Sequence, residues 1–260
     1  MIRYASLGSG SKGNATLVSG GGTTVMVDCG FSMKEAFRRM DRLGFDPTDL
    51  SAVVVTHEHG DHGKGVMALG RKLNIPVYMS AGTAVGLKAL GHAQVQTINV
   101  HQAFDIGALQ VAPVAVPHDA RETCQFVFTC EDIRVGVLTD LGHITAHIRQ
   151  AYQDVDALIL EANHDPQMLA DGPYPESLKR RVGGRFGHLS NEQSAGLLAE
   201  LDHDRLQQVV ISHISEHNNH PDVAASVLAA AMPGHEDKLC INTQDTGFDW
   251  CQINRLEEVR

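Results

Sequence analysis

Short apolar runs, bounded by glycine, proline or polar turn residues, recur along most of the chain. Runs of about four to eight residues rich in valine, isoleucine and aromatic side chains are typical of β-strands. The pattern predicts strands at residues 2–7, 15–19, 23–28, 52–56, 76–79, 96–100, 109–116, 125–129, 134–139, 157–160 and 209–212, with one or two more between 239 and 253.

Helical periodicity and capping residues fill the intervals between these runs. Ser32 with Glu35, and Ser190 with Gln193, have the spacing of capping boxes, and Pro221 suits the first turn of a helix. The predicted helices cover residues 32–43, 63–73, 81–90, 143–152, 174–182, 190–201 and 221–231.

Strand-rich blocks therefore alternate with helices, and no linker, charge run or internal repeat interrupts them. This order favours the α/β (α+β) class, with mixed sheets covered by helices on their outer faces. We predict a single domain over residues 1–260.

Composition and charge narrow the class of protein. Hydrophobic residues make up 43% of the 260, enough for a sizeable core, yet no apolar run approaches the roughly 18 residues of a membrane span. No secretory signal is visible, and five scattered cysteines without a CxxC pair indicate reduced thiols and a cytoplasmic location. The net charge of −10 argues against a broad basic surface that binds DNA without metal.

The most informative segment follows the apolar run at residues 52–55 and has the sequence THEHGDHG. It supplies four candidate metal ligands, His57, His59, Asp61 and His62. Side chains at this spacing cannot all point one way from a regular strand or helix, so the loop is expected to face two neighbouring points. Imidazole and carboxylate groups are ligands of hydrolytic zinc and similar ions. A histidine-rich surface loop is the alternative, but the specific spacing and the preceding strand argue against it.

Three further candidate ligands, His118, Asp140 and His213, each directly follow a predicted strand. Ligands gather at such ends because the sheet holds them rigidly while the loops leave the site open. Taken alone, a residue of this kind at a strand end is more commonly a capping residue or part of the core. The histidine loop cannot complete two metal sites by itself, however, and two ions about 3.5–4 Å apart need about seven protein ligands. We therefore predict a two-metal site.

The order of these residues along the chain resembles that of the metal-binding motifs of the metallo-β-lactamase superfamily, from about residue 2 to residue 213. The resemblance implies a four-layer αββα sandwich with a two-metal site at one edge of the paired sheets. It implies that one ion is held by His57, His59 and His118. The other is then held by Asp61, His62 and His213, with Asp140 bridging. Asp28-Cys29-Gly30 matches an early aspartate motif that supports the ligand loop.

Other segments narrow the resemblance to the YycJ/WalJ branch of that superfamily. They are residues 8–14, 118–120, 160–165, 187–191 and 212–219. The branch implies a bacterial, cytosolic phosphodiesterase or 5′-to-3′ DNA exonuclease. Two divalent ions would make a shared water a nucleophile near neutral pH, and Asp61 is the residue predicted to orient it. Ligand type favours Zn²⁺, and the two carboxylates also suit Mn²⁺.

Several residues in loops near the predicted site are candidates for proton transfer or substrate contact. We predict that His164, which follows a strand directly, is catalytic as a general acid, and that His188 and His217 contact substrate. The alternative is that these histidines cap helices or bond to the backbone. Ser11 and Asn14 are predicted to contact phosphate from the first glycine-rich turn, for which a plain hairpin is the usual explanation.

Lys179, Arg180, Arg181 and Arg185 form the one basic cluster of an otherwise acidic chain. We predict that Arg180, Arg181 and Arg185 bind the phosphates of DNA, the expected partner. A solvated helix face would explain the same charges without a function.

Two other functions stay open. The same site could hydrolyse a small ester, thioester or cyclic phosphodiester, since one fold hosts many chemistries. A metal-binding regulatory module without turnover is the third hypothesis, against which the complete set of seven ligands argues. The sequence gives no indication of protein partners or of membrane attachment.

Overall fold

The structure, a computed structural model, describes residues 1–255. Residues 256–260, the end of the predicted domain, lie outside the described residues. Within residues 1–255 the strands are β1 (Ile2–Gly8), β2 (Ala15–Gly20), β3 (Thr23–Val27), β4 (Ala52–Val55), β5 (Val77–Ser80), β6 (Val95–Ile98), β7 (Phe104–Ile106), β8 (Leu109–Ala115), β9 (Cys124–Cys130), β10 (Ile133–Leu138), β11 (Ala157–Glu161), β12 (Gln208–Ser212), β13 (Leu239–Ile241) and β14 (Phe248–Ile253).

The α-helices over the same residues are α1 (Met33–Arg42), α2 (Gly60–Gly63), α3 (Val66–Leu73), α4 (Ala81–Gly86), α5 (Ala146–Tyr152), α6 (Pro166–Asp171), α7 (Glu176–Val182), α8 (Asn191–Leu198) and α9 (Pro221–Ala230), and two short 3-10 helices lie at Pro47–Asp49 and Glu236–Lys238. None of them is long and apolar enough to cross a membrane.

The strands of residues 1–255 form two seven-stranded sheets. The first has the order β14-β1-β2-β3-β4-β5-β6, and the second has the order β13-β12-β11-β10-β9-β8-β7. Strands β3 to β6 are parallel to one another, as are β10 to β13. Each sheet therefore has a set of parallel strands whose carboxyl ends lie at one edge, where loops can form a site.

The two sheets face each other across an apolar layer that includes Tyr4, Val54, Phe126 and Phe128. Val53 and Val55 point the opposite way, into a second cluster under α1 and α3, which explains why β4 is apolar at every position. A third cluster lies between the other sheet and helices α5, α8 and α9. Helices thus cover both outer faces, and the predicted αββα sandwich is confirmed.

Most predicted elements occur within a few residues of their expected bounds, and the differences are local. The helix predicted at residues 63–73 starts only at Val66, as α3, and a separate turn before it, α2, carries Asp61 and His62. The helix predicted at 81–90 ends at Gly86. Strand β7 and helix α6 were not predicted, because three and six residues are too short to show a period.

Candidate active site

The loop after β4 is held by a buried aspartate at the end of the neighbouring strand. Asp28 accepts hydrogen bonds from the backbone N–H of Thr56 (2.8 Å), from the Thr56 hydroxyl (2.7 Å) and from Nδ1 of His62 (2.8 Å). Gly30 lies so close to the loop that a Cβ there would be 1.7 Å from the backbone oxygen of Asp61. The Asp28-Cys29-Gly30 segment therefore supports the loop directly, and only glycine permits the approach.

His57, His59 and His118 converge on one point. Nδ1 of His59 lies 3.0 Å from Nε2 of His57 and 3.3 Å from Nε2 of His118. Burial lowers the pKa of His57 and of His118, which favours the neutral imidazoles that metal binding requires. These three side chains form the first of the expected ligand groups.

Asp61, His62 and His213 form a second group beside the first, with their ligand atoms within 4.8 Å of one another. Asp140 lies between the two groups, with its carboxylate 3.3 Å from Nε2 of His62 and 3.5 Å from Nε2 of His213. It also forms a group with His57 and His62. Asp140 is thus placed where a carboxylate could contact ions in both groups.

Each of the buried imidazoles is fixed through its other nitrogen. The hydroxyl of Thr56 is 2.9 Å from Nδ1 of His57, Nδ1 of His118 donates to the backbone oxygen of Gly187 (3.0 Å), and Nδ1 of His213 donates to Glu161 (3.0 Å). Such bonds set the tautomer and aim the Nε2 lone pair at a metal.

Three residues of the site have backbone conformations that are rare for side chains other than glycine. The φ angles are 60° at Asp28, 55° at Asp140 and 54° at His213. Asp28 and His213 directly follow strands β3 and β12, and Asp140 is the second residue after β10. The left-handed turn directs each side chain toward the cluster. Backbone strain of this kind is concentrated at functional sites.

The chemistry of this donor set fits divalent cations. Oδ2 of Asp140 and Nε2 of His213 are buried without a hydrogen-bond partner among residues 1–255. Burial opposes a charge on His213, yet Asp140, Asp61 and Glu161 raise its pKa to about 10. The surrounding carboxylates therefore favour positive charge at this point. Bound cations would supply it and would satisfy both orphaned atoms.

Glu161 is the residue of this centre that the sequence prediction missed. It is fully buried at the end of β11, and its Oε1 accepts from Nδ1 of His188 (2.7 Å) as well as from His213. Its Oε2 accepts from the backbone N–H groups of Leu141 (3.3 Å) and Leu189 (3.0 Å). Burial raises the pKa of Glu161, but His188 and His213 outweigh it and lower the pKa to about 2. Its position directly after the apolar run of residues 157–160 is the sequence signal that could have identified it, as similar positions identified Asp140 and His213.

The three histidines proposed for proton transfer or substrate contact have different positions. His188 is in the centre, with its ring centroid 5.2 Å from that of His118 and 5.1 Å from that of His213. His164 is buried beside Gly183, and among the described residues it belongs to none of the ligand groups. His217 is exposed and lies edge-on against Tyr174, with centroids 5.8 Å apart. Geometry thus favours His188 over His164 for contact with substrate.

The two candidate residues of the first glycine-rich turn have different roles. Asn14 is buried, its backbone N–H donates to the oxygen of Asp61 (2.8 Å), and its side-chain nitrogen is 3.0 Å from Nε2 of His62. It holds the ligand loop. Ser11 is exposed and lines the cavity over the cluster, as a substrate contact would.

The basic cluster is only partly directed at the site. Arg181, on α7, lines the cavity and is ion-paired through Nε with Asp119, whose other oxygen is 3.5 Å from Nε2 of His118. Lys179 donates to the backbone oxygen of Ala170 (2.5 Å). Arg180 and Arg185 are exposed, and within residues 1–255 neither has a carboxylate within 4.0 Å.

A cavity of about 360 Å³ opens over the cluster. Asp61, Asp140 and His213 line it together with His188 and Arg181. The ligand groups are therefore accessible from one side, next to a cation and a histidine that could both contact a bound anion.

Comparison with known proteins assigns the family. Residues 23–214 match the model of the beta-lactamase superfamily domain, and the chain belongs to the metallo-β-lactamase superfamily. Within it, the chain is a YycJ/WalJ-like protein. It is 31% identical over 227 residues to "Exodeoxyribonuclease YycJ" of Bacillus anthracis, covering 86% of each chain. It is 30% identical over 229 residues to "Exodeoxyribonuclease WalJ" of Streptococcus pneumoniae strain D39, covering 86% of this chain and 85% of the other.

Solved structures agree with this fold. The metallo-β-lactamase fold protein YhfI of Bacillus subtilis aligns with a TM-score of 0.75 at 15% identity, covering 97% of this chain and all (100%) of the other. Human tRNase Z, short form, aligns with a TM-score of 0.66 at 16% identity, with coverage of 97% and 100%. The predicted family, fold class and enzyme class are confirmed: the protein is a metal-dependent hydrolase that binds divalent metal.

Proposed function

We propose that this protein is a two-metal phosphodiesterase that acts on DNA as a 5′-to-3′ exonuclease. One observation supports it above the others: two ligand groups share Asp140 and open into a cavity lined by a histidine and an arginine. The names of the curated relatives, at about 30% identity over most of the chain, support DNA as the substrate class.

His57, His59 and His118 would hold the first ion. Asp61, His62 and His213 would hold the second, and the carboxylate of Asp140 is available to both. Two divalent ions would supply Lewis-acid stabilisation of a phosphodiester and would lower the pKa of water to about 7. The imidazole-rich set favours Zn²⁺, and the two carboxylates keep Mn²⁺ as the second choice.

The side chains of the protein orient the attacking water, bind the phosphate and donate a proton to the leaving group. Asp61 presents a carboxylate to the cavity and can accept a hydrogen bond from the attacking water. Arg181, whose Nε is occupied by Asp119, keeps its terminal nitrogens for a phosphate oxygen. His188 gives Nδ1–H to ionised Glu161, so Nε2 is its remaining site for donating a proton to the leaving oxygen. We assign the general acid to His188 in place of His164.

The decisive test offers metal-reconstituted protein several substrates in parallel. They are 5′-phosphorylated duplex DNA, single-stranded DNA, RNA and a chromogenic small phosphodiester. We expect mononucleotides released stepwise from 5′ ends of DNA, and no cleavage of covalently closed circular DNA. RNA cleaved faster than DNA, or cleavage of closed circles, would contradict the DNA exonuclease.

A small-molecule hydrolase is the second candidate, because the cavity over the cluster is about 360 Å³ and would enclose a cyclic phosphodiester. The same panel decides between the two. Turnover of small phosphodiesters with every form of DNA left intact would favour this candidate.

Arg180 and Arg185 provide a prediction about DNA affinity. Both guanidinium groups are exposed and without a carboxylate partner in the described chain, so each is available to one phosphate. We expect the Arg180→Glu/Arg185→Glu protein to bind DNA more weakly. The slope of log affinity against log salt should fall by about two, because each lost phosphate contact removes about one.

The measurement is fluorescence anisotropy over a salt series. Arg71→Glu/Lys72→Glu is the matched control, since these exposed cations lie at the end of α3 remote from the ligand loop. An equal change of slope in both proteins would show that overall charge, and not this surface, determines binding.

A further inference from the structure

One part of the cavity over the ligand groups is not used by the proposed hydrolytic chemistry. It is bounded by the segment from α6 to α7 and by the loop after β12. Its lining there is largely apolar and half-buried: Tyr174, Leu178, Val182 and Ile214. An apolar wall of this kind next to a charged centre indicates a ligand with one planar or apolar end and one anionic end.

Tyr174 gives this wall a flat aromatic surface. It lies in the short turn between α6 and α7, and its ring is supported edge-on by His217, with an interplanar angle of 73°. A supported aromatic ring next to a charged centre is a typical platform for a nucleobase, because every base has a π-face.

Asn218 closes part of the cavity wall. It is fully buried and lines the cavity, and its Nδ2 donates to Ser215 (3.3 Å), which fixes the orientation of the amide. Its Oδ1 lies against Gly172, so the amide supports the wall and offers no acceptor to a ligand.

The size of the cavity limits how much of a polymer can enter. At about 360 Å³ it is near the lower end of the roughly 300–1,000 Å³ found for ligand clefts. Members of both ligand groups, Arg181 and Tyr174 all line it. This volume suits one nucleotide at a chain end, and the interior of a duplex would not fit.

We propose that this cavity is a subsite for a single terminal nucleoside, with its base against Tyr174 and its phosphate at Arg181. The subsite rests on the proposed function, and it gives a physical reason for attack at ends.

The test measures binding of two phosphates to the metal-loaded protein by calorimetry: deoxyadenosine 5′-monophosphate and 2-deoxyribose 5-phosphate, which lacks the base. We expect the nucleotide to bind about tenfold more tightly, as base stacking predicts. Tyr174→Ala should abolish this preference, and Tyr174→Phe, which keeps the ring, should retain it. Phe186→Ala, which removes an aromatic ring 60% exposed outside the cavity lining, is the matched control and should leave it intact.

Equal affinities in the wild-type protein, or a preference lost with Phe186→Ala and kept with Tyr174→Ala, would overturn the subsite. Digestion of 5′-phosphorylated DNA by the same preparations separates the two proposals. DNA cleavage without nucleotide preference refutes the subsite alone, whereas nucleotide preference without DNA cleavage refutes the exonuclease alone.

Discussion

Asp140→Asn should reduce kcat/KM for a small chromogenic phosphodiester by at least about a thousandfold, since the lost stabilisation is several kcal/mol. Asp140 is 2% exposed and lies between the two ligand groups, so its charge is available to both proposed ions. The asparagine amide has nearly the same shape but is neutral. Its NH₂ group would face the Nε2 atoms of His62 and His213, which the carboxylate of Asp140 faces in the wild-type protein. Metal content, measured by mass spectrometry, should fall from two ions per chain.

Asp105→Asn is the control, because Asp105 is exposed on the edge strand β7 and makes no ion pair among residues 1–255. Far-ultraviolet circular dichroism of both proteins distinguishes loss of the site from loss of the fold. Full metal content together with undiminished turnover in Asp140→Asn would refute the proposed bridging role.

The four layers could be predicted from the sequence because β4 and β11 are apolar at nearly every position, as strands buried on both faces must be. The seven candidate ligand residues, which the structure brings together, could be predicted because their types and strand-end positions repeat. The single domain of residues 1–260 stays a prediction.

The rest of the site depends on tertiary contacts that no local pattern shows. Glu161 is the last residue of β11 and His164 follows it closely, and only the fold shows that Glu161 faces the cluster while His164 lies beside Gly183. Likewise, Arg181 and Arg180 are adjacent on α7, yet only Arg181 meets Asp119. Tyr174 was not singled out, because an isolated tyrosine before a short helix has no sequence signal.

Glu161→Gln and His188→Ala are expected to have the second-largest effect, and the effect should depend on the leaving group. The ionised carboxylate of Glu161 holds Nδ1–H of His188 at 2.7 Å, which fixes the imidazole with Nε2 free for proton transfer. Positioned general acids contribute about 10²–10⁴ in rate. We expect a loss in this range for kcat on DNA, whose leaving alkoxide needs a proton, with a smaller change in KM.

A p-nitrophenyl phosphodiester provides the internal comparison, because the p-nitrophenolate leaving group needs no proton. His188→Ala should therefore retain most of its rate on that substrate. A merely structural role for the pair would lower both rates together, and so would loss of metal through His213, which also bonds to Glu161 (3.0 Å). His164→Ala should show no such dependence on leaving group, and finding it there in place of His188→Ala would return the general acid to His164.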